Sequence, residues 1–82
     1  MTYTARVNVM LKPGIADPQG QTIEKALPVL GYEGVGGVRV GKRIELQLDA
    51  TDEADARAKL DAMCKQLLSN PVIESYEVSL AQ

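Results

Sequence analysis

Histidine, phenylalanine and tryptophan are absent from this 82-residue chain, and cysteine occurs once. Without histidine the chain has no side chain whose ordinary pKa suits proton exchange near neutrality, and none to complete a zinc site. A single cysteine cannot close an internal disulfide. Cys64 falls on the apolar stripe of a predicted helix, so it is expected to be a buried core thiol, since a reactive thiolate needs an electropositive, partly exposed setting. The aromatics amount to Tyr3, Tyr32 and Tyr76. Base-stacking platforms are therefore missing, and the core must be aliphatic. No apolar run approaches the ~18 residues that suggest a membrane span, and the N-terminus carries a strand pattern with no signal-peptide core, so the chain reads as cytoplasmic.

The net charge is -2, with +2 over residues 1–48 and -4 over residues 49–82. Neither half is a nucleic-acid footprint. At this length one domain, 1–82, is expected, and a domain of this size buries only about 60 to 65% of its unfolded surface. Association is a natural source of further stability.

Residues 3–11 alternate, with Tyr3, Ala5, Val7, Val9 and Leu11 on one face, and predict a strand buried on one side. Lys12-Pro13-Gly14 ends it. Asp17-Pro18 is a cap followed by proline at the first helical position, and Ile23, Ala26, Leu27 and Leu30 keep helical spacing to about residue 30. Pro28 predicts a kink or an early end in that helix. Gly20 fits either close backbone approach by a partner or a slightly longer loop. Gly31 supplies the stop. Val38-Arg39-Val40 and Ile44, Leu46, Leu48 then predict a hairpin turning at Gly41-Lys42.

A second helix is expected from Thr51 or Asp52, with an acidic first turn and a buried stripe of Ala56, Leu60, Met63, Cys64, Leu67 and Leu68. Asn70-Pro71 should stop it, asparagine tolerating a left-handed cap. A last strand, about Val72 to Leu80, places Tyr76, Val78 and Leu80 on one face. The order β-α-β-β-α-β predicts an α+β, two-layer sandwich: a four-stranded antiparallel sheet with both helices on one face, the ferredoxin-like arrangement. The other sheet face would present Arg6, Asn8, Met10, Arg39, Glu45, Gln47, Ser75 and Glu77, a mixed polar surface.

Three patterns suggest chemistry and fail on inspection. Gly36 and Gly41-Lys42 have Walker A spacing, but Arg43 stands where a Ser or Thr must bind magnesium and a strand follows where a helix should. Asp52, Glu53 and Asp55 are an acidic helix start without a calcium-loop pattern. Glu45, Glu74 and Glu77 lie on a predicted open sheet face with no pocket to make them an acid and base pair. Arg39, Lys42 and Arg43, the densest basic group, could instead meet an acidic protein surface, because arginine offers carboxylates a planar fork.

Several short segments in order, Lys12-Pro13-Gly14, Asp17-Pro18-Gln19-Gly20, Leu30-Gly31-Tyr32, Val38-Arg39, Gly41-Lys42, Glu45-Leu46 and Asn70-Pro71-Val72-Ile73-Glu74, resemble the PurS family, the small subunits of phosphoribosylformylglycinamidine synthase. The likeness covers roughly residues 3–80. It implies a dimeric or higher accessory protein of de novo purine biosynthesis that joins a PurL synthetase subunit to a PurQ glutaminase subunit, without catalytic, cofactor or metal residues of its own, in a complex that uses ATP and magnesium. The candidate partner contacts are Lys12, Asp17, Gln19, Gly20, Arg39, Lys42, Asn70 and Glu74. An alternative is set by Lys12-Pro13-Gly14-Ile15, which resembles a corner of ACT domains, regulatory modules of the same element order that bind small ligands.

Overall fold

A computed structural model describes residues 1–81; Gln82, the last residue of the expected domain, lies outside them. The elements are β1 (Thr2–Leu11), α1 (Pro18–Val29), β2 (Gly41–Asp49), α2 (Glu53–Met63) and β3 (Glu74–Ala81), with a π-helical turn, Cys64–Leu68, continuing α2. The three strands form one antiparallel sheet in the order β2-β1-β3. Alternation dictates its two faces. Tyr3, Ala5 and Val7 stand opposite Leu48, Leu46 and Ile44 on one side, and Ala5, Val7 and Val9 stand opposite Leu80, Val78 and Tyr76 on the other. Ala56 and Leu60 of α2 and Cys64 at the start of its π-helical continuation, spaced four apart, close over this apolar face and are fully buried with Ala5 and Val7.

The expected four-stranded sheet is corrected to three strands, and the element order to β-α-β-α-β. There is no hairpin at Gly41-Lys42, because Gly41 already pairs with Met10 and Lys42 with Val9 inside the β1–β2 ladder. Gly41 does not have positive φ, unlike Gly14, Gly31, Gly34 and Gly37. Its lack of a side chain serves contact instead: a Cβ there would lie 2.5 Å from the Val9 carbonyl oxygen. Val38-Arg39-Val40 is strand-like in sequence but lies outside the sheet, so Arg39 is not on its polar face.

The placement of both helices on one sheet face is also corrected. No α1 residue enters the core; its one buried residue is Gly20. The radius of gyration, 16.4 Å, far exceeds the about 12 Å of a compact chain of this length. α1 is an arm. Its start is capped by Asp17, with Pro18 at the first helical position. Pro28 falls one residue before the end of α1, in keeping with the expected early end, and Gly31 (φ 100°) closes it: its N–H donates to Pro28 and that of Tyr32 to Leu27, the paired bonds of a Schellman motif.

Two further expectations fail around the end of α2. Leu67 is 83% exposed, because the π-helical turn shifts the periodicity that put it on the buried stripe. Asn70 is not left-handed; the helix ends at an extended Ser69, whose N–H and hydroxyl both bond the Cys64 carbonyl. Residues 70–73 then form a turn, which delays β3 to Glu74.

Candidate functional site

Six of the eight residues singled out by sequence meet at the junction where β1 ends. Lys12 donates its backbone N–H to Ile73 O (2.8 Å) and its Nζ to Pro71 O (2.7 Å). That ties the end of β1 to the turn before β3. The turn is held by its own ends: Asn70 Oδ1 accepts from Val72 N–H, and Glu74 Oε1 accepts from Asn70 N–H at 2.6 Å. Asp17 serves two masters. Its Oδ1 accepts from Gly20 N–H (2.9 Å), capping α1, and its Oδ2 accepts from Val40 N–H (2.7 Å), just before β2. These backbone bonds, to Gly20 first and then Val40, hold the Asp17 carboxyl below the usual carboxylate range, with the Arg39 charge adding to the effect.

The close approach to Gly20 that sequence assigns to a partner is made by this chain's own backbone: a Cβ on it would lie 2.5 Å from Val38 O. The Arg39 guanidinium donates to the Leu11 carbonyl. Lys42 lies on the opposite strand position to Val9 with an exposed side chain, and Gln19 lines an open groove of about 510 Å³ with Pro18, Thr22, Ile23 and Val40. The site therefore consists mostly of groups already paired within the chain. Glu24 was missed by sequence reasoning, although it accepts from Val38 N–H at 3.0 Å. The available signal was its position seven residues after Asp17, two helical turns along the same face.

The cysteine and the acidic start of α2 both have structural places. Cys64 is buried, and that burial, then the Asp61 charge, pushes its thiol up. Asp52 and Asp55 cap α2 by accepting from Asp55 and Thr51 N–H groups, respectively, and Lys59 pairs with Asp55 at 3.2 Å. Among the described residues no group of three or more His, Cys, Asp or Glu is disposed to hold a metal, and no helix is long and apolar enough to cross a membrane.

What the surface does offer is uncovered apolar area. Val29 is 85% exposed and Leu30 71%, with Tyr32 and Val35 nearby in sequence and Leu67 and Val72 near the other turn. Isolated exposed apolar residues are ordinary, but here several cluster in sequence around the end of a helix that places no side chain in the core.

Fold and site thus define a small α+β domain whose distinctive polar residues tie α1 to the segment before β2. Comparison with known proteins places it further. The family model for PurS, phosphoribosylformylglycinamidine (FGAM) synthase, matches residues 4–82. A Synechocystis phosphoribosylformylglycinamidine synthase subunit PurS is 52% identical over 92% of this chain and 75% of its own length. The crystal structure of Methanocaldococcus jannaschii PurS, a subunit of formylglycinamide ribonucleotide amidotransferase in the purine biosynthetic pathway, superimposes with a TM-score of 0.86 at 38% identity, over 98% of this chain and 96% of that one. A chain in the structure of PurLQS from Thermotoga maritima reaches 0.89 at 32% identity, over 99% of both. The chain belongs to the PurS family.

Proposed function

We propose that this chain is a non-catalytic small subunit of phosphoribosylformylglycinamidine synthase, acting in the cytoplasm in de novo purine biosynthesis, and that it assembles with a PurL synthetase and a PurQ glutaminase. The observation that carries this reading is the end-to-end similarity to a chain of the Thermotoga maritima PurLQS structure, with 99% of both chains covered. The complex would convert formylglycinamide ribonucleotide, glutamine and ATP to formylglycinamidine ribonucleotide, using magnesium. Ammonia released in the glutaminase must then reach the synthetase without protonation or loss to water, and a preformed sheet module holds two enzymes in register at a lower entropic cost than a flexible linker. The chain itself would bind no cofactor.

Self-association as a dimer or higher oligomer belongs to the same proposal. The exposed end of α1 and the unpaired outer edges of β2 and β3 support it, since a lone copy leaves both uncovered.

Reconstitution tests the function. Adding this chain to the synthetase and glutaminase should raise glutamine-dependent amidation far more than amidation supplied with free ammonium, because only the first needs two sites aligned. Equal glutamine-dependent rates with and without it, all three proteins being soluble, would reject the proposal. Saturable thermal stabilisation by a free amino acid in that case would favour the ACT-like alternative.

A further inference from the structure

Val38 and Val40 alternate as strand residues do, yet neither gives its N–H to a strand. Val38 N–H donates to Glu24 Oε1 at 3.0 Å and Val40 N–H to Asp17 Oδ2 at 2.7 Å. Successive N–H groups on one side of an extended segment are the donors a neighbouring strand would satisfy. Here two carboxylates from one face of a helix replace that strand. Gly20 lies between them along the helix, close enough to the Val38 carbonyl that a Cβ would collide with it. The segment is thus held at three points, and it runs directly into β2 at Gly41, while Arg39 between the two valines reaches the Leu11 carbonyl at the end of β1.

Little else could fix the arm. α1 places no residue in the core, and its own buried residue is the glycine under this segment. We propose that Asp17 and Glu24 form a two-point carboxylate latch that straps residues 38–40 to α1 and thereby sets the angle of the α1 arm on the sheet. They are positioning residues. In this respect Asp17 acts within the chain, and its effect on assembly is exerted through the direction in which α1 presents its uncovered face. The latch itself does not depend on which partner covers that face.

Asparagine separates capping from latching. It caps helices about as well as aspartate, but it carries one acceptor oxygen, and its amide NH2 cannot accept from a second N–H. In the full-length chain, Asp17→Asn should keep the helical circular dichroism, while amide hydrogen exchange at Val40 accelerates by about tenfold or more, as expected for loss of a bond to a charged acceptor. Glu24→Ala should do the same at Val38, and Glu24→Gln, which retains an acceptor oxygen, should restore its protection. Exchange at Val7, in the middle of β1, should stay within about twofold, because that strand is held by the core.

A second measurement reads the arm directly. Spin labels on Lys25→Cys and Gln47→Cys, both exposed positions, report the distance from α1 to β2 when labelled chains are diluted into unlabelled protein. The combined Asp17→Asn and Glu24→Ala variant should broaden a narrow distance distribution. Unchanged exchange at Val38 and Val40, an equal acceleration at Val7, failure of Glu24→Gln to restore protection, or an unbroadened distance distribution would each overturn the latch.

Discussion

The sheet with α2 and the arm built on α1 have the same kind of apolar periodicity and opposite fates. In the body, Ala56, Leu60 and Cys64 are fully buried against Ala5 and Val7. In the arm, Ile23 is 43% exposed and Leu30 71%, although their spacing is equally helical. Periodicity says that a face will be covered, and it does not say by which molecule. The body is a solved packing problem, whereas the arm is held by polar bonds to backbone and leaves its apolar side unfilled. A chain near the lower size limit for a domain can divide its surface this way when assembly completes the burial.

The comparison breaks most directly by truncating one side chain in each region. Leu60→Ala removes a fully buried side chain and should lower unfolding stability by about 2 to 5 kcal/mol, the range for leucine in a packed core. Leu30→Ala, measured by urea unfolding with the chain dilute, should change it by less than about 0.5 kcal/mol. Similar losses for both would mean that the arm is packed within a single chain after all.

Assembly sharpens the same contrast. At micromolar concentration sedimentation should give a species heavier than the 8.8 kDa chain, and Leu30→Lys should shift it toward that mass without loss of helix. A charge at a position already open to water costs the isolated chain little, so its effect reports on the partner surface. A wild-type chain that sediments only at 8.8 kDa would remove the self-association proposal.

How much of this was legible in sequence follows from where the partners of each residue lie. β1, the buried stripe of α2 up to Cys64 and the inward faces of β2 and β3 are legible, because their period reflects burial against elements of the same chain. Sequence misleads at the hairpin because glycine has two uses: Gly41 suits a turn by type, and it serves the close approach of β1. Val38 and Val40 were read as a strand because their alternation is real, but side-chain carboxylates rather than a strand satisfy their N–H groups. Of the candidate contact residues, Lys12, Asp17, Gly20, Arg39, Asn70 and Glu74 lie around one junction, where their printed bonds and close contacts are to this chain's own backbone and side chains. Residue type alone could not show that they bond inward.

A smaller effect tests how the body is fastened on its far side. Tyr76 Oη donates to the Asp61 carboxylate, linking β3 to α2. That bond, with burial second, pushes the Tyr76 phenol up to about 12, and it is also the largest cause of the lowered Asp61 carboxyl, ahead of Lys65. A phenol raised in the folded state stabilises fully below its unfolded value of 10.0 and loses that contribution as pH climbs toward about 12. A carboxyl lowered in the folded state contributes above its unfolded value of 3.8 and loses it as pH falls through its folded value. The melting temperature difference between wild type and Tyr76→Phe should therefore be level from about pH 6 to 9 and shrink beyond about pH 10 and below about pH 4. Taking the difference between the two proteins cancels every contribution that both share. A difference that stays constant to pH ~11.5 would show that the hydroxyl contributes nothing through Asp61 and that the ring alone fastens β3 to α2.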